Sequence, residues 1–207
     1  AVPSTLQQSI VHIGILLVQS VINSFGSTAI AGYSAGMRIE SLSIVPMLAM
    51  GNAMSTFTAQ NMGAGKIDRV KEGYRMCYVI VLTAGAVLCV MYQLAGGAFV
   101  SLFLDSGSSE AYSVGLSYVK FLSFFYSFIG LKASTDGLLR GAGDVTAFTV
   151  ANLVNLAIRV SVTNLFAPIY GIQVAWMAVP LGWAANYMIS FGWYLTGKWK
   201  KVRVIKK

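Results

Sequence analysis

Charge is what this chain of 207 residues lacks: Asp, Glu, Lys and Arg make up 11% of it, while 56% is hydrophobic. A water-soluble domain carries roughly 25% charged residues, so a surface wetted all round is excluded. Histidine and cysteine are nearly missing, with one His and two Cys, which leaves no ligand set for a zinc site. Cys77 and Cys89 fall on one predicted helix about 18 Å apart along its axis, too far to be bridged. There is no phosphate-binding loop and no nucleophile elbow, and nothing supports a soluble-type enzyme. The net charge of +8 does not indicate nucleic acid either, because the basic residues sit in short gaps between apolar runs, not on one face. An initiating Met and a signal-peptide pattern are also absent. Pro3-Ser4-Thr5-Leu6 leads straight into an apolar segment, and we expect the chain to begin inside a longer protein.

What is present is hydrophobic length. Almost every window of about 20 residues is apolar, enough for a helix to cross a hydrocarbon core about 30 Å thick. The pattern predicts an all-α membrane protein, residues 1–197, with six transmembrane helices at about 4–23, 28–62, 70–94, 110–140, 145–166 and 172–197. A basic, water-facing tail follows at 198–207. The second and fourth helices are longer than a simple crossing needs, and Pro46 inside the second predicts a kink there. The Gly96-Gly97 pair is expected to part the third helix from a short apolar piece ending at Leu104, with a turn from Asp105 to Ser109. The fifth helix is expected to stop before Pro168.

The loops divide by charge. Lys66, Arg69, Lys71 and Arg75 flank the second gap, Arg140 precedes the fourth, and six more basic residues follow the last helix; the other gaps contain none. Short cytoplasmic loops carry the excess of Lys and Arg, so both ends are expected in the cytoplasm, as in a bacterial-type plasma membrane protein. Gly63-Ala64-Gly65 and Gly141-Ala142-Gly143 end the two overlong helices on that same side, and each is followed by an Asp, a weak sign of internal duplication.

Polar residues inside such helices mark packing bonds or a transport path. Gln8, His12, Gln19 and Asn23 lie within about 60° of arc on the first helix, and Asn152, Asn155, Arg159 and Thr163 within about 80° on the fifth. His12 could exchange protons near neutral pH or serve as a structural hydrogen-bonder. Arg159 could line a path or snorkel to the interface. Glu40 is the carboxylate best placed to lie deep in the membrane, and we expect it to pair with a basic residue of another helix, such as Arg159. Arg38 points away from it, since two residues span about 200° of a helix. Lys132 and Asp136, one turn apart, are expected to neutralise each other as a structural or gating pair.

Several stretches together resemble one family. Asn23-Ser24-Phe25-Gly26, Arg38-Ile39-Glu40, the run Gln60-Asn61-Met62-Gly63-Ala64-Gly65-Lys66 and the run Leu139-Arg140-Gly141-Ala142-Gly143-Asp144 are similar, in order, to the second half of multidrug and toxic compound extrusion (MATE) transporters. The resemblance implies one six-helix lobe of a twelve-helix, V-shaped secondary transporter. Such a machine exports organic, often cationic compounds in exchange for protons or sodium and uses no other cofactor. The implied partners are the lipid bilayer and an N-terminal lobe, or a second copy in its place. Some branches carry carboxylates near Val11 or His12 and near Ile129; neither stands here, which makes His12 the natural substitute. A non-transporting scaffold and a lipid-linked-sugar flippase of the wider superfamily are the alternatives.

Overall fold

The computed structural model describes the backbone of residues 2–105 and 109–201 and the side chains of 12–105 and 110–200. The described residues form seven α-helices: α1 (Val2–Asn23), α2 (Ser27–Gly63), α3 (Ile67–Ser101), α4 (Ser109–Ser123), α5 (Tyr126–Gly141), α6 (Val145–Tyr170) and α7 (Gln173–Leu195), followed by a 3-10 turn at Lys198–Lys201. The Gln8 side chain, residues 106–108 of the expected turn and residues 202–207 of the tail lie outside the described residues.

α2, α3 and α6 are each long and apolar enough to cross a membrane, and α4 with α5 makes a fourth such rod, bent by 53°. α1 with 22 residues and α7 with 23 are about 33 and 35 Å long, sufficient for the hydrocarbon core. Six rods result once α4 and α5 are taken as one bent crossing. Large apolar side chains such as Leu42, Leu94 and Met188 point outward, Leu94 being 83% exposed, as expected of a protein whose solvent is lipid.

The expected single helix over 110–140 is therefore corrected: it breaks at Phe124–Phe125, where no proline or glycine stands. The cause is a side chain from another helix. Gln93 on α3 donates its amide to the Lys120 carbonyl and to Ser123 Oγ, both at 2.8 Å, and Ser123 Oγ donates to the same carbonyl at 2.7 Å. The acceptor that residue 124 would have used is thereby occupied, and an inserted side chain of this kind bends a helix. Two further boundaries differ. α3 runs through Gly96-Gly97 to Ser101, because the two glycines are where α4 leans on α3, through Leu116 and Lys120 at Gly96 and Tyr112 at Gly97. α6 continues past Pro168 to Tyr170, since the proline falls in the last turn and Gly171 N–H still closes on the Ala167 carbonyl at 2.8 Å. α2 stays helical on both sides of Pro46.

The two Gly-Ala-Gly tripeptides are the same structure twice. Gly65 and Gly143 take positive φ, 70° and 86°. Lys66 N–H reaches back to the Asn61 carbonyl at 2.8 Å and Asp144 N–H to the Leu139 carbonyl at 2.9 Å; Gly65 and Gly143 donate to Met62 and Arg140 at 3.0 Å. This pair of bonds is the Schellman cap, which requires a left-handed residue that only glycine supplies without strain.

The centre of the bundle is the crossing of α2 and α5. A Cβ on Gly137 would collide with the Gly51 backbone, one on Gly51 with Ala133, and one on Gly141 with Ser55. Small residues at four-residue spacing let the two backbones touch, which is how helices gain contact where lipid supplies no hydrophobic drive.

A polar cavity between α1, α2 and α6

α1, α2 and α6 each contribute a wall to a cavity of about 310 Å³. Gln19 comes from α1, Tyr33, Glu40 and Ser41 from α2, and Asn152, Asn155 and Arg159 from α6. The structure thus brings together five of the nine polar pathway candidates read from the sequence: Gln19, Glu40, Asn152, Asn155 and Arg159. The apolar lining includes Val18, Ile44 and Leu156. Gly14 lets the Leu156 side chain pack close against α1 there.

Three candidates stand apart, the first being Thr163, which is buried outside the cavity lining. His12 is exposed and outside the cavity lining. Asn23 is also exposed and accepts a hydrogen bond from Gln19 Nε2 at 2.9 Å, so the C-terminal end of the α1 stripe satisfies itself.

Glu40 is 8% exposed, and its partner is not the one expected. The hydroxyl of Tyr118 on α4 donates to Glu40 Oε2. No ion pair joins Glu40 to Arg159, so the expected Glu40–Arg159 pair is corrected. Arg159 stands on the α6 wall of the same cavity, close enough for its charge to act on both Glu40 and Tyr33. Tyr118 reaches Glu40 because Gly32 and Gly36, eight and four residues earlier on the same face, leave room for α4: side chains there would strike Ala111, Val114 and the Tyr118 ring. That glycine spacing was the available signal. Tyr118 is held in turn by Tyr33, edge to face at 5.3 Å, and by Trp176 at 5.5 Å. Arg38 leaves the cavity as anticipated and lies over the Phe103 ring at 5.9 Å.

Below the cavity sits the second charged feature. Lys132 Nζ donates to Asp136 Oδ2 at 3.0 Å and to Asn152 Oδ1 at 3.2 Å. Asp136, 4% exposed, also accepts from Ser190 Oγ at 2.6 Å and from Asn152 Nδ2 at 3.5 Å. The expected Lys132–Asp136 pair exists, but it is more than a local helix pair, since it ties α5 to α6 and α7. Asn152 belongs to both this network and the cavity lining. Ser190, which sequence reasoning missed, looks like any helical serine until α7 is packed.

A family model for MatE matches residues 3–165, well over half of the chain. The chain belongs to the MatE family. It is 28% identical over 204 residues to the probable multidrug resistance protein YpnP of Bacillus subtilis, covering 98% of this chain and 45% of that protein. To the probable multidrug resistance protein NorM of Thermotoga maritima it is 21% identical over 214 residues, 99% of this chain and 44% of that one. A MATE crystal structure in the straight conformation superposes with a TM-score of 0.86 at 15% identity, over 98% of this chain and 46% of that one. An outward-facing MATE transporter gives 0.84 at 17% identity, over 94% and 43%. The chain spans about half the length of the curated relatives it matches. Its fold is that of one MATE lobe, a transporter domain and not an enzyme.

Proposed function

We propose that the chain is the C-terminal lobe of a secondary antiporter that exports organic, often cationic compounds in exchange for protons or sodium by alternating access. The observation that carries this reading is the cavity whose wall holds the Glu40 carboxylate among amides and apolar side chains. An ionisable group inside a membrane bundle is costly to keep and marks a transport path. Glu40 offers a negative charge to a coupling cation or to the positive end of a substrate. Arg159, across the cavity, sets the local field so that a cation is not held permanently. The buried network of Lys132, Asp136, Asn152 and Ser190 joins the cavity floor to three helices, so a shift at Asn152 is passed to α5 and α7. The partner is an N-terminal lobe or a second copy, and the second face of the transport path comes from it. The basic turns at Lys66–Arg75 and at Arg140, with the basic tail, support a cytoplasmic position for both ends.

The test is ethidium efflux from cells expressing the chain with and without an upstream lobe, with a proton or a sodium gradient imposed. Efflux that needs both lobes and one gradient supports the reading and names the ion. In the two-lobe protein, Glu40→Gln is expected to lower efflux at least tenfold at unchanged membrane abundance. Unchanged efflux in that variant removes Glu40 from the path, and no efflux with both lobes present in the membrane favours a scaffold role.

A further inference from the structure

A second, separate pair of cavities lies on a different face of α4, between α4 and α7. The first, of about 500 Å³, is lined in its polar part by Ser113, Ser117, Lys120 and Gln173. The second, of about 300 Å³, is almost wholly apolar and is walled by Phe125, Phe128, Pro180 and Leu181. Phe121 and Met177 line both, so the two form one continuous groove with a polar, cationic end and an aromatic, apolar end. The break between α4 and α5 shapes the groove, because Phe121, Phe125 and Phe128 flank the bend and follow one another at ring separations of 5.2 and 6.3 Å.

From this groove we propose that the lobe holds an anionic phospholipid of the leaflet opposite the basic turns, with its phosphate at Lys120 and one acyl chain along Phe121, Phe125 and Phe128. Charge is the first argument. Lys120 lines the same cavity end as Gln173, and its ammonium has no ion pair or hydrogen bond among the described residues. An unpaired cation at the rim of the hydrocarbon attracts an anionic headgroup. The Ser113 and Ser117 hydroxyls and the Gln173 amide line the same end without a partner among the described residues, and they supply the donors a phosphate needs. Depth is the second argument. Gln173 opens α7, so the polar end is level with its first turn. Ala184, at the far end of the apolar part, is about 16 Å further along α7. That is about half the thickness of the hydrocarbon core, the reach of one leaflet's acyl chain. The groove therefore has a phospholipid's polarity in the order that leaflet would present it.

The experiment is native mass spectrometry of the full chain in detergent, with added phosphatidylglycerol or with phosphatidylcholine of the same acyl chains. The wild-type chain is expected to retain phosphatidylglycerol at least fivefold over phosphatidylcholine, and equal retention of the two overturns the proposal without any variant. Lys120→Gln is expected to abolish the preference and Lys120→Arg to keep it; a preference that survives Lys120→Gln places the lipid elsewhere and overturns the site. Inorganic phosphate at millimolar concentration is expected not to displace the lipid, because it cannot use the aromatic half. Displacement by phosphate overturns the lipid as occupant in favour of a free anion. None of these readouts depends on transport.

Discussion

The hydroxyl of Tyr118 on α4 donates its hydrogen to the carboxylate of Glu40 on α2, inside the bundle and at the edge of the cavity that α1, α2 and α6 enclose. A buried carboxylate has few ways to be satisfied in a membrane, and here a single phenol from a neighbouring helix does it. Tyr118→Phe keeps the ring packing against Tyr33 and Trp176 and removes only this donor. The expected result is a loss of about 1–3 kcal/mol in unfolding free energy, the cost of leaving a buried acceptor unsatisfied. Combined with Glu40→Gln, the two losses are expected to be less than additive, with coupling of about 0.5–3 kcal/mol. Additive losses would show that the bond contributes nothing.

Lys132 and Asp136 form the buried ion pair, with Asn152 and Ser190 filling the remaining sites. Lys132→Met leaves Asp136 charged and unpaired and is expected to cost about 3–5 kcal/mol. Replacing both, as Lys132→Met with Asp136→Leu, is expected to recover most of that stability, since the desolvation of both charges disappears with them. Thermal unfolding of the three proteins in one detergent decides it: a double variant no more stable than the single one refutes the account.

Where two backbones touch, the smallest possible side chain matters. Gly137→Ala puts a methyl group against the Gly51 carbonyl, whereas a methyl on Gly63 meets nothing within 4 Å. Gly137→Ala is expected to cost about 1–3 kcal/mol through overpacking. Gly63→Ala is expected to be neutral or slightly stabilising, because alanine is the better helix former. Equal melting temperatures for the two variants would argue against the α2–α5 crossing as described.

How much of the candidate site was legible can be judged residue by residue. Asn152, Asn155 and Arg159 announce a polar face at helical spacing in an otherwise apolar run, and that face does line the cavity. Gln19 was found the same way on α1. Glu40 stood out because a carboxylate in such surroundings needs an explanation. Its partner did not, because Tyr118 is 78 positions away and nothing near it in the chain points to α2. The ion pair of Lys132 and Asp136 was visible from its four-residue spacing, but its ties to Asn152 and Ser190 depend on how α6 and α7 pack.

The order of apolar segments and the two Gly-Ala-Gly stops are local properties, and they alone pointed to a membrane bundle and to the turns after Asn23, Gly63 and Gly141. Periodicity determined which faces are polar. The tertiary structure decided what those faces meet, since interhelical contacts join residues far apart in the chain and leave no trace in any one window. Gln93 shows this most plainly. It breaks the fourth crossing at a site with no proline or glycine, because a donor from α3 takes the carbonyl that the helix would have used. The same packing set Tyr118, and not Arg159, against Glu40, because glycines on α2 admit α4 while the cavity keeps α6 at a distance.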